Sequence, residues 1–405
     1  MTKRNQPCPC GSNSKYKKCC GSTQKIDQDI SPAEKEVLLN LFNSKQMIKT
    51  EQACRELMQT YQQSSYLFNL LGITLKEQSK LREAEQAFEK ATQIKPDYAS
   101  AYCNRGIALR YLGQLDEAVQ SMQIAVEKDP DDSHISDSLI NILNYYMPNI
   151  ETGYPYIKAQ KSLQQVRAKY TSRLMIADET VRQLYQQCHS ILGRNNLLAI
   201  YTNKNQLYRG ASPPNDCARH KMVFDTFNII PEYCFDCYKV TFEPRTVMEL
   251  FKLLLVFDKL KLPNNNERKC IVENRPEMSG TYKGFIYCRS LDEGKEILNI
   301  VQPIVGNAIS EGIPIFVKRG CSEFPLAYPA YGHITKNKSQ QMSYNEEWRK
   351  HEAYADKNMT TQKHDNPNDF KHNHSGFTLL DILVMRKWLA FAAKRGDLSY
   401  LKIVE

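Results

Sequence analysis

The sequence predicts a multidomain chain: a small zinc knuckle, then an all-α helical repeat, then an α+β module. Three observations carry that prediction. Four cysteines crowd into residues 8–20, self-similarity at a 34-residue period runs through residues 65–132, and from Leu207 short β-branched and aromatic runs replace polar helical texture. The expected segments are the knuckle at 1–26, the repeat array at 31–148, a helical connector at 149–205, the α+β module at 206–335, a polar mobile loop at 336–376, and a closing helix and tail at 377–405. A chain of 405 residues has room for two or three cores of this kind.

Composition bounds the function. No apolar run follows Met-Thr-Lys-Arg-Asn-Gln, and the stretches Leu250 to Phe257 and Leu379 to Phe391 fall short of a membrane span, so a cytoplasmic protein is expected. Thirteen cysteines in a reducing compartment read as metal ligands or buried thiols rather than a disulfide frame. The formal charge of +9 is uneven, with an excess of acid in the array and of base at both ends. Such an excess suits nucleic acid or an anionic small ligand and is also common on inert surfaces.

The knuckle is Cys8, Cys10, Cys19 and Cys20 in the spacing C-x-C-x8-C-C, among Lys15, Lys17 and Lys18. Thiolates this close repel unless a cation holds them; Zn²⁺ accepts four in a tetrahedron, and the lysines favour deprotonation. A disulfide knuckle or a reactive thiol cluster are the alternatives. Cys8-Pro9-Cys10-Gly11-Ser12-Asn13 through Cys19-Cys20-Gly21 resembles the SEC-C motif, with Asn13 where that family usually has glycine. The resemblance implies zinc and a docking contact with a protein, the ribosome or the translocation machinery, and names no reaction.

In the repeat, Gly72 maps onto Gly106, Ala84 onto Ala118, Phe88 onto Met122, Ala91 onto Ala125 and Pro96 onto Pro130. Small residues at these places let two antiparallel helices approach closely, and the units 65–98 and 99–132 resemble tetratricopeptide repeats. A degenerate unit around Ser31 to Gln63 and a helix with Leu139, Ile140, Ile142 and Leu143 extend the array. The resemblance implies a protein partner; an array that only braces its neighbour is the bland reading.

In the module, Cys217 and His220, then Cys234 and Cys237, give C-x2-H-x13-C-x2-C. Two short pairs at this separation are the pattern of a structural zinc site, with an iron–sulfur cluster, buried thiols or a redox pair as alternatives. Next come a strand at Tyr238 to Phe242, a helix at Thr246 to Leu260, a hairpin of Cys270 to Glu273 with Tyr282 to Cys288, a helix at Leu291 to Ile309 and a strand at Ile313 to Lys318. That order is βαββαβ, the ferredoxin-like arrangement of a sheet covered on one face. Phe285 and Tyr287, two apart behind Lys283 and Gly284, share a sheet face. They weakly resemble the stacking aromatics of an RNA-recognition motif, which implies RNA as a partner; core packing competes.

Arg245, Arg275, Lys283, Arg289 and Arg319 sit near the ends of these elements and could either brace them or cradle phosphate or carboxylate. Cys321 follows Lys318-Arg319-Gly320, where cations would favour a nucleophilic thiolate; His333 is the base nearest in sequence. The reading is a zinc-binding adaptor whose C-terminal module binds an anionic ligand. The rivals are an enzyme acting on a phosphorylated or carboxylated substrate, and an RNA-binding protein.

Overall fold

A computed structural model describes residues 30–404 except 150–152, 171–173, 211–216, 276–277, 279, 335–340 and 359–375. Cys8, Cys10, Cys19 and Cys20 lie outside the described residues. The chain divides into two compact units: Met1–Ile142 with Pro148–Ile150, and Leu143–Met147 with Glu151–Glu405.

The first unit is a run of antiparallel helices: α1 (Pro32–Asn43), α2 (Met47–Thr60), α3 (Ser65–Glu77), α4 (Leu81–Ile94), α5 (Ala99–Tyr111), α6 (Leu115–Lys128) and α7 (Ser133–Leu143). Ser31 opens it with a capping box closed by Glu34, and Pro32 stands in the first turn, where no amide is needed. The period is written into the turns as well as the helices. Lys45, Ser79 and Gly113 all adopt left-handed backbone, with φ of 60°, 62° and 77°. After each, the next amide returns to the helix five residues back: Gln46 to Leu41, Lys80 to Leu75, Gln114 to Leu109. The degenerate unit at 31–63 therefore closes its first helix in the same way as the two clear units. Between helices, a Cβ on Gly72 would stand 2.6 Å from the Phe88 ring, and one on Gly106 2.6 Å from Met122. Glycine lets α3 meet α4, and α5 meet α6, at this distance, with Ala84, Ala91, Ala118 and Ala125 fully buried around the contact.

The second unit begins with α8 (Pro155–Leu163) and α9 (Asp178–Arg194), then β1 (Gln206–Arg209), α10 (Cys217–Phe227), β2 (Tyr238–Phe242), α11 (Val247–Lys259), β3 (Arg268–Val272), β4 (Tyr282–Cys288), α12 (Leu291–Ala308) and β5 (Ile315–Arg319). It ends with α13 (Glu323–Ala327), α14 (Arg349–Asn358), α15 (Leu379–Arg395) and α16 (Leu401–Val404). The five strands form one antiparallel sheet in the order β1-β3-β4-β2-β5. The six elements from β2 to β5 fall where the sequence places them. Three others do not follow from it: the four-residue edge strand β1, and the helices α10 and α14. α14 lies inside the span read as loop, and the closing tail contains the short helix α16.

Alternation divides the sheet into two unlike faces. One packs on α11 and α12 through Val240, Phe242 and Ile286, where Phe242 meets Phe257 edge-on at 5.2 Å. Gly284 belongs to this face because a Cβ there would run into Leu253. The strand register assigns the other face to Lys239 and Thr241 of β2, Lys283, Phe285 and Tyr287 of β4, Phe316 and Lys318 of β5, and Lys269 of β3. The candidate site is built on this second face.

Candidate functional site

The floor of the site is aromatic and its groups are cationic. Lys239 Nζ lies 4.9 Å from the Tyr287 ring centroid, Lys318 Nζ 4.9 Å from that of Phe285, and Lys269 Nζ 5.6 Å from Phe285. Phe285 and Tyr287 are buried beneath these ammonium groups, where a stacking base would have to displace them. Aromatic faces offset part of the desolvation of three cations held this close.

Beside this floor opens a cleft of about 360 Å³, lined by Thr241, Lys283, Phe316, Lys318, Cys321 and Leu326, with Glu243 at its margin. Cys321 is placed by the backbone around it. Gly320, left-handed at φ 57°, donates its amide to Cys237 O at 2.7 Å, and a Cβ on Gly320 would collide with the Tyr331 hydroxyl. That hydroxyl donates to Cys234 O at 2.6 Å. The turn carrying Cys234 and Cys237 is thus tied to the one carrying Cys321 by main-chain carbonyls.

The Cys321 sulfur accepts a hydrogen bond from Lys239 Nζ at 3.3 Å and lies 3.5 Å from His220 Nε2. Burial alone would raise this thiol, but the Lys239 charge and the His220 hydrogen bond outweigh it and bring it down to about 6. The imidazole at Cys321 is that of His220, on α10, rather than His333. The His220 ring meets Phe324 edge-on at 5.6 Å, which fixes its plane. Lys318 is pulled down to about 7, first by burial and then by the charges of Lys239 and Lys283, and it donates to Ser322 Oγ at 2.6 Å. Glu267, beside Lys269, is raised to about 8 by burial against the pull of Lys269 and Lys239.

Two groups in the cleft wall stand apart. Lys283 is 4 % exposed and makes no hydrogen bond among the described residues, while its charge acts on Glu273 and Lys318. Thr241 is 2 % exposed and its Oγ1 has no hydrogen-bond partner. Buried polar groups are nearly always satisfied, so the Thr241 hydroxyl marks a place in the cleft wall where a polar partner is missing.

The arginines singled out by sequence mostly brace the fold. Arg275 pairs with Glu273 at 2.8 Å and with Glu323. Arg245 pairs with Glu249 at 2.6 Å at the start of α11. Arg319 donates to the carbonyls of Phe235 and Met342 and lies against the rings of Phe235 and Tyr331. Arg289 is exposed beyond β4. Of the four residues read as a second metal set, Cys217 starts α10 with its side chain outside the described residues, His220 faces Cys321, and Cys234 and Cys237 are buried. Among the described residues there is no group of three or more His, Cys, Asp or Glu arranged to hold a metal.

His220 and Cys321 are 101 residues apart, and no spacing rule joins them. The lysine face did leave a signal. Lys239, Lys283 and Lys318 each stand next to apolar residues of a strand, at a position facing away from the helices.

A SEC-C motif matches at residues 4–22, and tetratricopeptide repeats match at residues 65–98 and 87–120. No curated protein matches the chain. Among solved structures, the first TPR of Spaghetti (RPAP3) bound to an HSP90 peptide is 21% identical, covering 27% of this chain and 87% of that one, with a TM-score of 0.27. The second TPR domain of human RPAP3 with an HSP70 peptide is also 21% identical, over 27% and 91%, at 0.26. MamA is 14% identical over 32% and 75%, at 0.27. The chain therefore carries a SEC-C motif followed by tetratricopeptide repeats.

Proposed function

We propose that this protein is an adaptor: its repeat array docks a protein partner, and its sheet module binds an anionic ligand in the lysine-lined cleft. The observation that carries the second half is the convergence of Lys283 and Lys318 with the unpartnered Thr241 Oγ1 in one cleft wall. A phosphate or carboxylate between Lys283 and Lys318 would gain charge-assisted hydrogen bonds from both. Thr241 Oγ1 would supply a neutral donor to the same anion. The strand order supports reading the sheet as a ferredoxin-like split βαβ unit extended at one edge by β1. The SEC-C segment, through Cys8, Cys10, Cys19 and Cys20, would hold one zinc and serve as a second docking element for a protein or ribosomal surface.

Melting of wild type and Lys283→Met, with and without pyrophosphate at constant ionic strength, tests the cleft. With the anion, wild type is expected to gain stability and the methionine variant to gain much less. Equal responses of the two proteins would contradict the reading. For the array, a pull-down that recovers the same partners after deletion of residues 1–132 would remove the adaptor role.

The rival reading, an enzyme, is favoured by a specific observation: a thiol bonded to both an ammonium and an imidazole at the edge of that cleft.

A further inference from the structure

We infer that Cys321 is a nucleophile for acyl groups carried on a phosphate-bearing leaving group, with His220 as its proton donor and acceptor. The nucleophile stands on its own geometry; the anionic carrier rests on the reading of the cleft as an anion site.

A cysteine in a cleft is not by itself a site, and three neighbours make this one different. Lys239 Nζ donates to the sulfur at 3.3 Å, and His220 Nε2 stands 3.5 Å from it on the opposite element. The thiol can pass its proton to the imidazole and remain as a thiolate next to an ammonium, the arrangement that nucleophilic substitution at carbon requires. Thr241 Oγ1 is the second, independent observation: a buried hydroxyl without a partner, in the wall of the same cleft and two residues along β2 from Lys239. It is available to donate to an oxygen that gains charge during attack. Lys283 and Lys318 form the anion-binding side, while Phe316, 39 % exposed, and Leu326, 58 % exposed, give an apolar wall for an acyl chain.

Phosphoryl transfer to sulfur fits less well. It calls for a rigid fork of donors around three equatorial oxygens. The arginines near the cleft, Arg275 and Arg319, are already held by carboxylates and carbonyls. Acyl transfer needs only one developing oxyanion to be met.

The chemistry balances without an oxidant. The Cys321 thiolate attacks the carbonyl carbon, a C–S bond forms, and the bond from that carbon to the phosphate oxygen breaks. The phosphate departs with the bonding pair and takes the His220 proton where its basicity calls for one. An acceptor hydroxyl, amine or water then gives its proton to His220 and attacks the thioester carbon. The C–S bond breaks, and the thiolate returns to the side of Lys239.

The test is acetyl phosphate added to the full chain, with quenching, intact mass and peptide mapping, in wild type, Cys321→Ser, His220→Gln and Lys283→Met. The expected result is one acetyl group on Cys321 in wild type and none in Cys321→Ser. Turnover to free acetate should fall about a hundred-fold in His220→Gln, and competing pyrophosphate should slow acetylation in wild type but not in Lys283→Met. Wild type that binds pyrophosphate yet gains no acetyl group on Cys321 overturns the nucleophile and leaves the anion site standing. Acetylation of Cys321 that is indifferent both to pyrophosphate and to Lys283→Met overturns the anionic carrier instead. Wild type alone decides the nucleophile, and its response to pyrophosphate decides the carrier, so a Lys283→Met protein that fails to fold does not protect the inference.

Discussion

In the repeat array the buried polar side chains are hydroxyls and an amide: Thr50, Ser64, Asn69, Thr74, Thr92, Ser121 and Ser136. The sheet module buries ionisable groups instead, among them Lys239, Lys252, Glu267, Arg268, Glu273, Lys283 and Asp381. A hydroxyl finds a carbonyl in its own or the next helix, as Thr74 does at Leu70 O and Ser121 at Tyr102 O, both at 2.8 Å. A charge needs a partner brought from elsewhere in the fold. Most in the module have one: Lys252 with Asp178 at 2.7 Å, Asp381 with Arg209 at 3.0 Å, and Arg268 with the carbonyls of Phe257 and Leu260. The array is organised for regular packing, whereas the module holds its buried charges with partners drawn from distant elements.

That contrast can be broken from either side. The largest expected effect is in the array. Phe88→Ala empties the space that Gly72 leaves for the ring and should destabilise the array by about 3–5 kcal/mol in denaturant unfolding. Acetylation of Cys321 should be unchanged in the folded protein; loss of both together would mean that the units are not energetically separate.

The module should instead answer to pH. Burial raises Glu267 from its ordinary 4.5 to about 8, so between those values the folded state binds more protons than the unfolded state. Stability from this group is complete below the lower value and is lost as pH rises through the upper one. Glu267→Gln should therefore be more stable than wild type at pH 8.5, by about 1–2 kcal/mol, with a flatter pH dependence. Melting curves with parallel pH profiles would contradict this.

Lys318 gives an effect of similar origin on binding. Held down to about 7, it is mostly charged at pH 6 and mostly neutral at pH 8. Anion affinity should fall about five- to ten-fold across that interval, with proton uptake on binding at pH 7.5. A binding heat independent of buffer ionisation would remove Lys318 from the site.

The smallest effect on the described units concerns metal. Elemental analysis should find one zinc per chain, lost in a Cys8→Ser/Cys10→Ser variant, with the melting of both units unchanged. A second zinc would assign Cys217, His220, Cys234 and Cys237 to metal and take His220 away from Cys321.

Much of this architecture is legible in the sequence because periodic packing leaves periodic residues. Gly72 and Gly106 stand out since each must face a large side chain, and the six elements from β2 to β5 stand out through their alternation and caps. The turn repeat at Lys45, Ser79 and Gly113 is harder to see, because the same left-handed backbone is filled by three different residue types. β1 is too short to carry a pattern and owes its place to pairing with β3. The site is less legible than the fold. Cys321 can be suspected from Lys318-Arg319-Gly320, but its imidazole comes from α10, and its ammonium partner comes from β2 rather than from the adjacent residues. The arginines stand out by type and mostly brace the fold; Lys283, singled out with them, lines the cleft, while Lys239 shows only as a cation inside the strand Tyr238–Phe242.

Calorimetric titration of the full-length protein with pyrophosphate, in wild type and Lys283→Met, tests the central claim most directly. The account expects saturable one-to-one binding in wild type, weakened ten-fold or more, about 1.4 kcal/mol or more, in the variant. No saturable binding in wild type, or equal affinity in the two proteins, would contradict it.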